Sequence, residues 1–353
     1  MTNPHQPDRP VEPSDPDNPA EFSIKHVASL GGGHGLFNTL RATRTIADRV
    51  SAIVTVADDG GSSGRLRREF QCLPPGDLRM ALAALARDTD RGALWEDTLQ
   101  HRFGGSGALK GHAVGNFIIT GLAQVMGDEL SALDEIGRLL GISGRVIPMC
   151  PEPLDLVADV AGIEDDPNEL VPVRGQVAVA STVGEVRRVS LIPEHPIAST
   201  AAIEAIEDAD LITMGPGSWF SSVIPHVLVP GIVEELNRSS APIVLLLNLV
   251  PEVGETSGMS MEHHLHMLHD HAPDLRVDFV VVDPTTVAGP RDVRLLVAAS
   301  QKLGARMLLR DVRNNDGRGR WTDRHKAAKV AQVCREIGYA AHIGQLDSLP
   351  DSV

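Results

Sequence analysis

The sequence predicts an α/β protein on a mostly parallel sheet with one small antiparallel insertion. Three observations lead there. From Lys25 onward, short β-rich apolar runs alternate with stretches of helical period, the grammar of βα units. Residues 243–247 are apolar without a break, as a central strand covered on both faces must be. Glycine-bearing loops follow several of these runs, where a strand hands over to a helix.

Residues 27–30 read as the first strand, followed by Gly31-Gly32-Gly33-His34-Gly35. Leu36, Leu40, Thr43 and Ala47 then recur at helical spacing, which predicts a helix over 36–47 with one face on the sheet. Residues 52–56 form the second strand. Pro74-Pro75-Gly76-Asp77 interrupts the chain and opens a Leu/Ala-rich helix over 78–86, with Asp77 as its N-cap. A helix starts near Asn116, where a capping role competes with ligand binding. Asp128 caps a further helix, 129–140, that Gly141 ends. Residues 176–180 and 186–192 flank Thr182-Val183-Gly184-Glu185 and predict an antiparallel hairpin inserted at 175–193. The parallel pattern resumes with a helix over 201–207, a strand over 211–214 and the loop Gly215-Pro216-Gly217-Ser218. Strands at 243–247, 279–282 and 306–309 and a closing helix at 326–337 complete the pattern. No internal repeat and no second core is visible, so 23–345 is expected to form one elaborated domain. The tail, 1–22, is dominated by Pro, Asp, Asn and Glu and is expected to be disordered, having almost nothing to bury.

The chain has 353 residues and a formal net charge of −15. That balance argues against non-specific nucleic-acid binding and against adhesion to anionic lipid, both of which need a basic surface. Cys72, Cys150 and Cys334 lie far apart without a C-x-x-C, so neither a disulfide framework nor a zinc knuckle is suggested. No run approaches the roughly 18 to 20 apolar residues of a membrane span, and no signal pattern opens the chain; a cytoplasmic protein without membrane insertion is expected.

The stretch Asp58-Asp59-Gly60-Gly61-Ser62-Ser63-Gly64-Arg65 follows the second strand and reads as one wall of a site. In an open α/β sheet, ligands bind beyond the carboxyl ends of the strands. Adjacent carboxylates repel and raise each other's pKa, so Asp58 and Asp59 call for a cation or donors nearby. They can hold Mg2+, accept a proton from a hydroxyl, or bind a ribose. Arg65, Arg67 and Arg68 are candidate donors. Gly31 to Gly35 precedes a helix and can cradle a phosphate. It meets the dinucleotide pattern G-x-G-x-x-G only in part, Leu36 standing at the third glycine, which keeps NAD as an alternative ligand. Gly215, Gly217 and Ser218 form a second phosphate or sugar loop, and Gly111-His112 with Gly115-Asn116 a fourth polar segment. His263, His264, His266, His269 and His271 do not follow H-E-x-x-H and read as a polar helical face. Trp219 reads as a core aromatic.

Taken in order, Gly31 to Leu36, Val54 to Arg65, Pro75 to Arg79, Gly111-His112 with Gly115-Asn116, Gly215 to Ser218 with Pro225, and Gly254-Glu255-Thr256 resemble the family of putative gluconeogenesis factors. That family is a branch of the superfamily containing 2-phospho-L-lactate transferase. The resemblance spans about residues 27–282, with Arg324-His325 beyond it. It implies a Rossmann-like three-layer αβα fold and binding of a UDP-sugar, notably UDP-N-acetylglucosamine. It also implies a regulatory role in cell shape and wall synthesis during gluconeogenic growth, through enzymes of wall-precursor synthesis. The related transferase joins a phospholactyl group from a guanosine diphosphate donor to a deazaflavin hydroxyl, with Mg2+ and acids in the loop matching Asp58-Asp59. On this basis Gly31, Gly32, Gly33, His34, Gly35, Asp58, Asp59, Gly60, Ser62, Ser63, Arg65, Asp77, His112, Asn116, Gly215, Gly217, Ser218, Asn248 and Arg324 are the expected ligand-binding residues. Asp58 and Asp59 are the expected Mg2+ ligands, and the catalytic candidates if the protein is an enzyme. A homo-oligomer is the expected state. His34 stands where many members carry Thr, and Asn248-Leu249-Val250-Pro251 replaces the usual Asn-Met-Thr-Gln. The extended Gly60 to Ser63 stretch favours the gluconeogenesis-factor branch over the transferase. Three readings therefore stand: a UDP-sugar-binding regulator, a Mg2+-dependent transferase of the phospholactyl type, and an NAD-binding protein.

Overall fold

The computed structural model describes residues 19, 22–252, 256 and 258–351, and nearly all of the tail expected over 1–22 lies outside them. The chain runs β1 (Ile24–Gly31), α1 (Gly33–Thr43), β2 (Ala47–Val54), α2 (Gly61–Phe70), α3 (Pro75–Leu85), α4 (Asp90–Gln100), α5 (Val114–Met126), α6 (Glu129–Leu140) and β3 (Gly144–Pro148). An excursion follows through β4 (Asp155–Ala161), β5 (Leu170–Arg174), α7 (Gln176–Ser181) and β6 (Glu185–Ile192). It returns by α8 (Thr200–Glu207) to β7 (Leu211–Met214), a π-helical turn (Trp219–Val223), α9 (Ile224–Val227), α10 (Pro230–Arg238) and β8 (Ile243–Leu246). The rest is α11 (Met261–His271), β9 (Phe279–Val282), α12 (Pro290–Lys302), β10 (Arg306–Leu309), the ribbon β11 (Arg313–Asn315) and β12 (Trp321–His325), and α13 (Ala327–His342).

Seven strands pair in the order β10-β9-β8-β7-β1-β2-β3, each pair parallel. The chain first steps outward from β1 to β2 and β3, then restarts at β7 on the other side of β1 and steps outward again. The strand order therefore reverses between β1 and β7. Loops that leave these two strands must diverge, which opens a crevice at their carboxyl ends.

Side-chain alternation covers both faces of the sheet. In β8, Ile243 and Leu245 join one apolar core while Val244 and Leu246 join the other; β9 divides Val280 and Val282 from Phe279 and Val281 in the same way. The second core is closed by α13 through Val330, Cys334 and Ile337. This is the three-layer, Rossmann-like arrangement expected, and the small antiparallel sheet β5-β4-β6 is the insertion.

Several boundaries differ from the sequence expectation. The first helix ends at Thr43 and Ala47 opens β2, because the turn through Thr45 and Ile46 ends the helix early. The second strand stops at Val54, and the acidic loop is short: Gly60 is an N-cap and Gly61 to Arg65 form the start of α2. The expected hairpin arm at 176–180 is helix α7, and β6 pairs instead with β4. Val177 and Val179 alternate like a strand, but tertiary contacts with the acidic loop decide the local structure. Asp77 is not an N-cap; it is the third residue of α3, whose N-cap is Pro74. Asn116 likewise sits inside α5, with Ala113 as N-cap. The cap at Asp128, which accepts the Ser131 amide at 2.6 Å, and the stop at Gly141 are as expected.

Candidate functional site

Three loops meet at the switch point. Gly32 caps α1, and a Cβ there would fall 2.6 Å from Asp77 Oδ2, 2.6 Å from Thr55 Cγ2 and 2.9 Å from Ser222 Oγ. A Cβ on Gly35 would lie 1.9 Å from the Pro216 carbonyl oxygen, so the first turn of α1 and the Gly215 loop touch backbone to backbone. Only glycine permits that approach. Thr39 Oγ1 donates to the Gly215 carbonyl at 3.0 Å, and Asn248 grips the same loop, its Oδ1 accepting the Gly217 N–H and its Nδ2 donating to the Gly217 carbonyl, both at 2.8 Å. Ser218 caps the π-helical turn by accepting the Ser221 amide at 3.2 Å.

The result is a cavity of about 320 Å³. Gly32, Gly33, His34 and Gly35 form one wall, Gly217, Ser218, Ser221 and Ser222 the second, Asp58, Asp77 and Met80 the third, and Gln176 and Glu252 close it. The first amides of a helix have no intrahelical acceptor, so the α1 wall presents its opening N–H groups, of which Gly33's is bonded to Asp77, and the positive end of a helix dipole. A larger hollow of about 800 Å³ runs along α13 beside Thr45 and Pro350, but it contains neither glycine-loop amides nor paired acids.

Of the three acids that line the cavity, Asp58, Asp77 and Glu252, the first two stand together on one wall. Asp58 Oδ1 accepts the Gly60 N–H at 2.8 Å, and Asp58 Oδ2 would lie 3.1 Å from a Cβ on Gly76, beside Ser63 Oγ. Burial raises the Asp58 pKa against the Gly60 and Ser63 hydrogen bonds, and the Asp59 charge adds to the rise. Burial, then the Asp58 charge, push Asp77 up to about 7, with the Gly33 amide and Arg79 opposing. Arg79 is itself buried, held down to about 10 first by desolvation and then by Arg102; it donates to Gln100 Oε1. His34 is lowered by burial and then by Arg324, Arg79 and Arg102. Helix-start amides on one wall and the carboxyls of Asp58 and Asp77 on another suit an anion bound with a divalent cation or with hydroxyl groups. Two carboxylates from separate elements, completed by phosphate oxygens, also suit Mg2+.

The expected residues sort into distinct places. Gly31 ends β1 beneath the site. Gly60 and Ser63 support Asp58, Ser63 also accepting the Gly76 N–H at 3.0 Å. Asn248 and Gly215 serve the loop architecture. Asp59 points elsewhere: its Oδ1 accepts the Val177 amide at 3.1 Å, so the expected Mg2+ pair Asp58-Asp59 is divided between two surfaces. Ser62, His112 and Asn116 form a buried network outside the cavity wall, Ser62 Oγ lying 3.0 Å from His112 Nδ1 and accepting Asn116 Nδ2 at 3.1 Å. Arg65 reaches the Lys110 carbonyl at 3.4 Å and Arg67 pairs with Asp155 at 2.6 Å, so neither neutralises the acids directly. Arg324 is exposed on β12, within electrostatic reach of His34. Gly254 and Glu255 lie outside the described residues. Trp219 is fully buried against His264, and His271 Nε2 accepts the Val189 amide at 2.9 Å, so two of the clustered histidines face inward rather than onto a polar face.

Sequence reasoning missed Gln176, Met80, Ser221, Ser222 and Glu252 as wall residues, and Arg79 as the buried cation. Only Arg79 carried a signal, an arginine two residues from an acid in a helix start. The others depend on which distant segments the fold brings to the crevice.

Residues 27–302 match the family model described as 2-phospho-L-lactate transferase CofD. A Mycobacterium tuberculosis protein named "Putative gluconeogenesis factor" is 52% identical over 317 residues, covering 88% of this chain and 91% of its own. A "Gluconeogenesis factor" of Listeria monocytogenes is 34% identical, covering 87% and 94% respectively. A crystal structure of a UPF0052 family member from Bacillus halodurans superposes with a TM-score of 0.75 at 32% identity, covering 89% of this chain and 99% of that one. Among the described residues, no helix is long and apolar enough to cross a membrane. With this shared sequence, fold and length, the chain belongs to the gluconeogenesis-factor branch of the 2-phospho-L-lactate transferase (CofD) family.

Proposed function

We propose that the cleft binds a nucleotide-diphosphate sugar of the UDP-N-acetylglucosamine class and that the protein is a regulator responsive to it. The observation that carries this reading is the meeting, in one cavity, of the open first turn of α1 with the Asp58 and Asp77 carboxylates. The amides suit a diphosphate. The acids suit sugar or ribose hydroxyls, or a Mg2+ shared with the diphosphate; when bound, that ion offsets phosphate charge. We extend this reading to a regulatory role in cell shape and wall synthesis on gluconeogenic carbon, through wall-precursor enzymes; the names of the relatives support the link to gluconeogenesis alone.

One observation favours a second reading, a phospholactyl-type transferase: a carboxyl titrating near 7 beside an anion site is suited to take a proton from an attacking hydroxyl. Thermal unfolding with UDP-N-acetylglucosamine, NAD, GDP or GTP, each with and without Mg2+, separates the possibilities. A ligand at 100 times its Kd stabilises by about 2.7 kcal/mol. A shift with the UDP-sugar supports the proposal; a shift with NAD alone overturns it. Turnover of a bound substrate, abolished by Asp77→Asn, establishes the transferase instead.

A further inference from the structure

The two adjacent acids have separate tasks, and the second leads to a binding residue on the insertion. Asp59 Oδ1 accepts the Val177 N–H at 3.1 Å, and a Cβ on Gly175 would fall 2.2 Å from Asp59 Oδ2, so the start of α7 rests directly on this carboxylate. Gly175 has φ +97°, a turn that side-chain-bearing residues rarely adopt. On the neighbouring residue, a Cβ on Gly60 would meet Val177 Cγ2 at 3.0 Å and Gln176 Oε1 at 3.6 Å. Gln176 is thereby laid along the acidic loop and lines the cavity. Helix α7 has six residues and buries only Val179, too little to hold its own position. Its first turn is held by Asp59 and by the Gly175 N–H, which donates to the Leu156 carbonyl at 2.7 Å.

We infer that Gln176 recognises the ligand from the insertion, and that Asp59 is the positioning residue that delivers it. A primary amide donates and accepts without charge. Set among carboxyl groups and amide donors, it matches the neutral hydroxyl or acetamido groups of a sugar better than phosphate. This inference rests on the nucleotide-sugar reading and assigns the sugar end of the site.

The test uses the full chain, with calorimetry of UDP-N-acetylglucosamine and of UDP, with and without Mg2+, and ligand-free hydrogen exchange across residues 174–181. Gln176→Ala is expected to weaken the UDP-sugar about tenfold while UDP changes little, the loss of one well-placed hydrogen bond. Asp59→Ala should weaken the UDP-sugar to the same degree, add nothing in the Gln176→Ala background, and speed exchange at Val177. Asp59→Asn keeps an oxygen for the Val177 amide and should restore both. Equal losses in the Ala and Asn variants, seen only with Mg2+, would make Asp59 a cation ligand and overturn its positioning role. Unchanged exchange in Asp59→Ala overturns that role as well, leaving the nucleotide-sugar reading in place. Wild-type affinity for the UDP-sugar in Gln176→Ala overturns the assignment of Gln176. Failure of the wild type to bind the UDP-sugar at all removes the underlying reading, and Gln176's role with it.

Discussion

Asp77 titrates near 7 because its charged form must sit inside protein beside Asp58, where burial and the like charge both favour the proton. In the unfolded chain it ionises near the ordinary carboxylate value of about 3.9. Between about pH 4 and 7 the native state thus holds a proton that the unfolded state has released, and Asp77 lowers stability as pH rises through that window. Asp77→Asn removes the penalty. The variant is expected to unfold at a higher temperature than the wild type at pH 8, with the gap closing toward pH 4.5; a pH-independent gap would refute the assignment. On the proposed reading that Asp77 helps hold Mg2+, the ion requires the ionised carboxylate, so Mg2+ affinity should climb through pH 7 in the wild type and be lost in the variant. Asp58 and Asp59 are neighbours in the chain, yet successive side chains beyond a strand diverge: Asp59 turns to the Val177 amide, and the aspartate that shares the cavity wall with Asp58 lies nineteen residues away in number, on another helix start.

At the scale of elements, the site is made by backbone surfaces that fit without side chains between them. Gly35→Ala would place a methyl carbon 1.9 Å from the Pro216 carbonyl oxygen, a backbone atom that cannot rotate aside. The expected cost is about 3 kcal/mol or more, at the upper end of overpacking penalties, read as a lowered urea midpoint at unchanged slope. Asn248→Ala acts on the same loop from the other side. It leaves the Gly217 N–H and carbonyl without their partner and should cost about 1–3 kcal/mol, with nucleotide-sugar affinity falling in parallel. A variant that loses stability but keeps full affinity would show that this loop is not part of the binding surface. The strands and the glycine turns of this crevice were legible because apolar runs and glycine clusters are local signals. Helix α7 was not, since Val177 and Val179 suit a strand equally well, and the carboxylate beneath its first turn lies more than a hundred residues earlier in the chain.

The whole molecule joins its layers to the cleft through two buried histidines. His226 is wedged between the π-helical turn and β2, with Nδ1 3.0 Å from the Ser222 carbonyl and Nε2 3.1 Å from the Ile53 carbonyl; as a neutral ring it donates to one of the two. His325 Nε2 lies 3.2 Å from the Leu247 carbonyl and ties the terminal ribbon to the end of β8. Burial pushes both down to about 4, against carbonyl contacts that act the other way. The unfolded chain takes up these protons near 6.5. The stability each contributes is therefore complete above pH 6.5 and lost as pH falls toward 4, roughly 3 kcal/mol each at most. Asp77 works in the opposite direction over the same window, but two histidines outweigh one carboxyl. Urea midpoints are accordingly expected to fall between pH 6.5 and 4, more steeply in Asp77→Asn, where the opposing group is absent. His226→Gln should be less stable than the wild type at pH 7 yet lose less on acidification; a wild-type slope in that variant would mean that another group drives the acid transition.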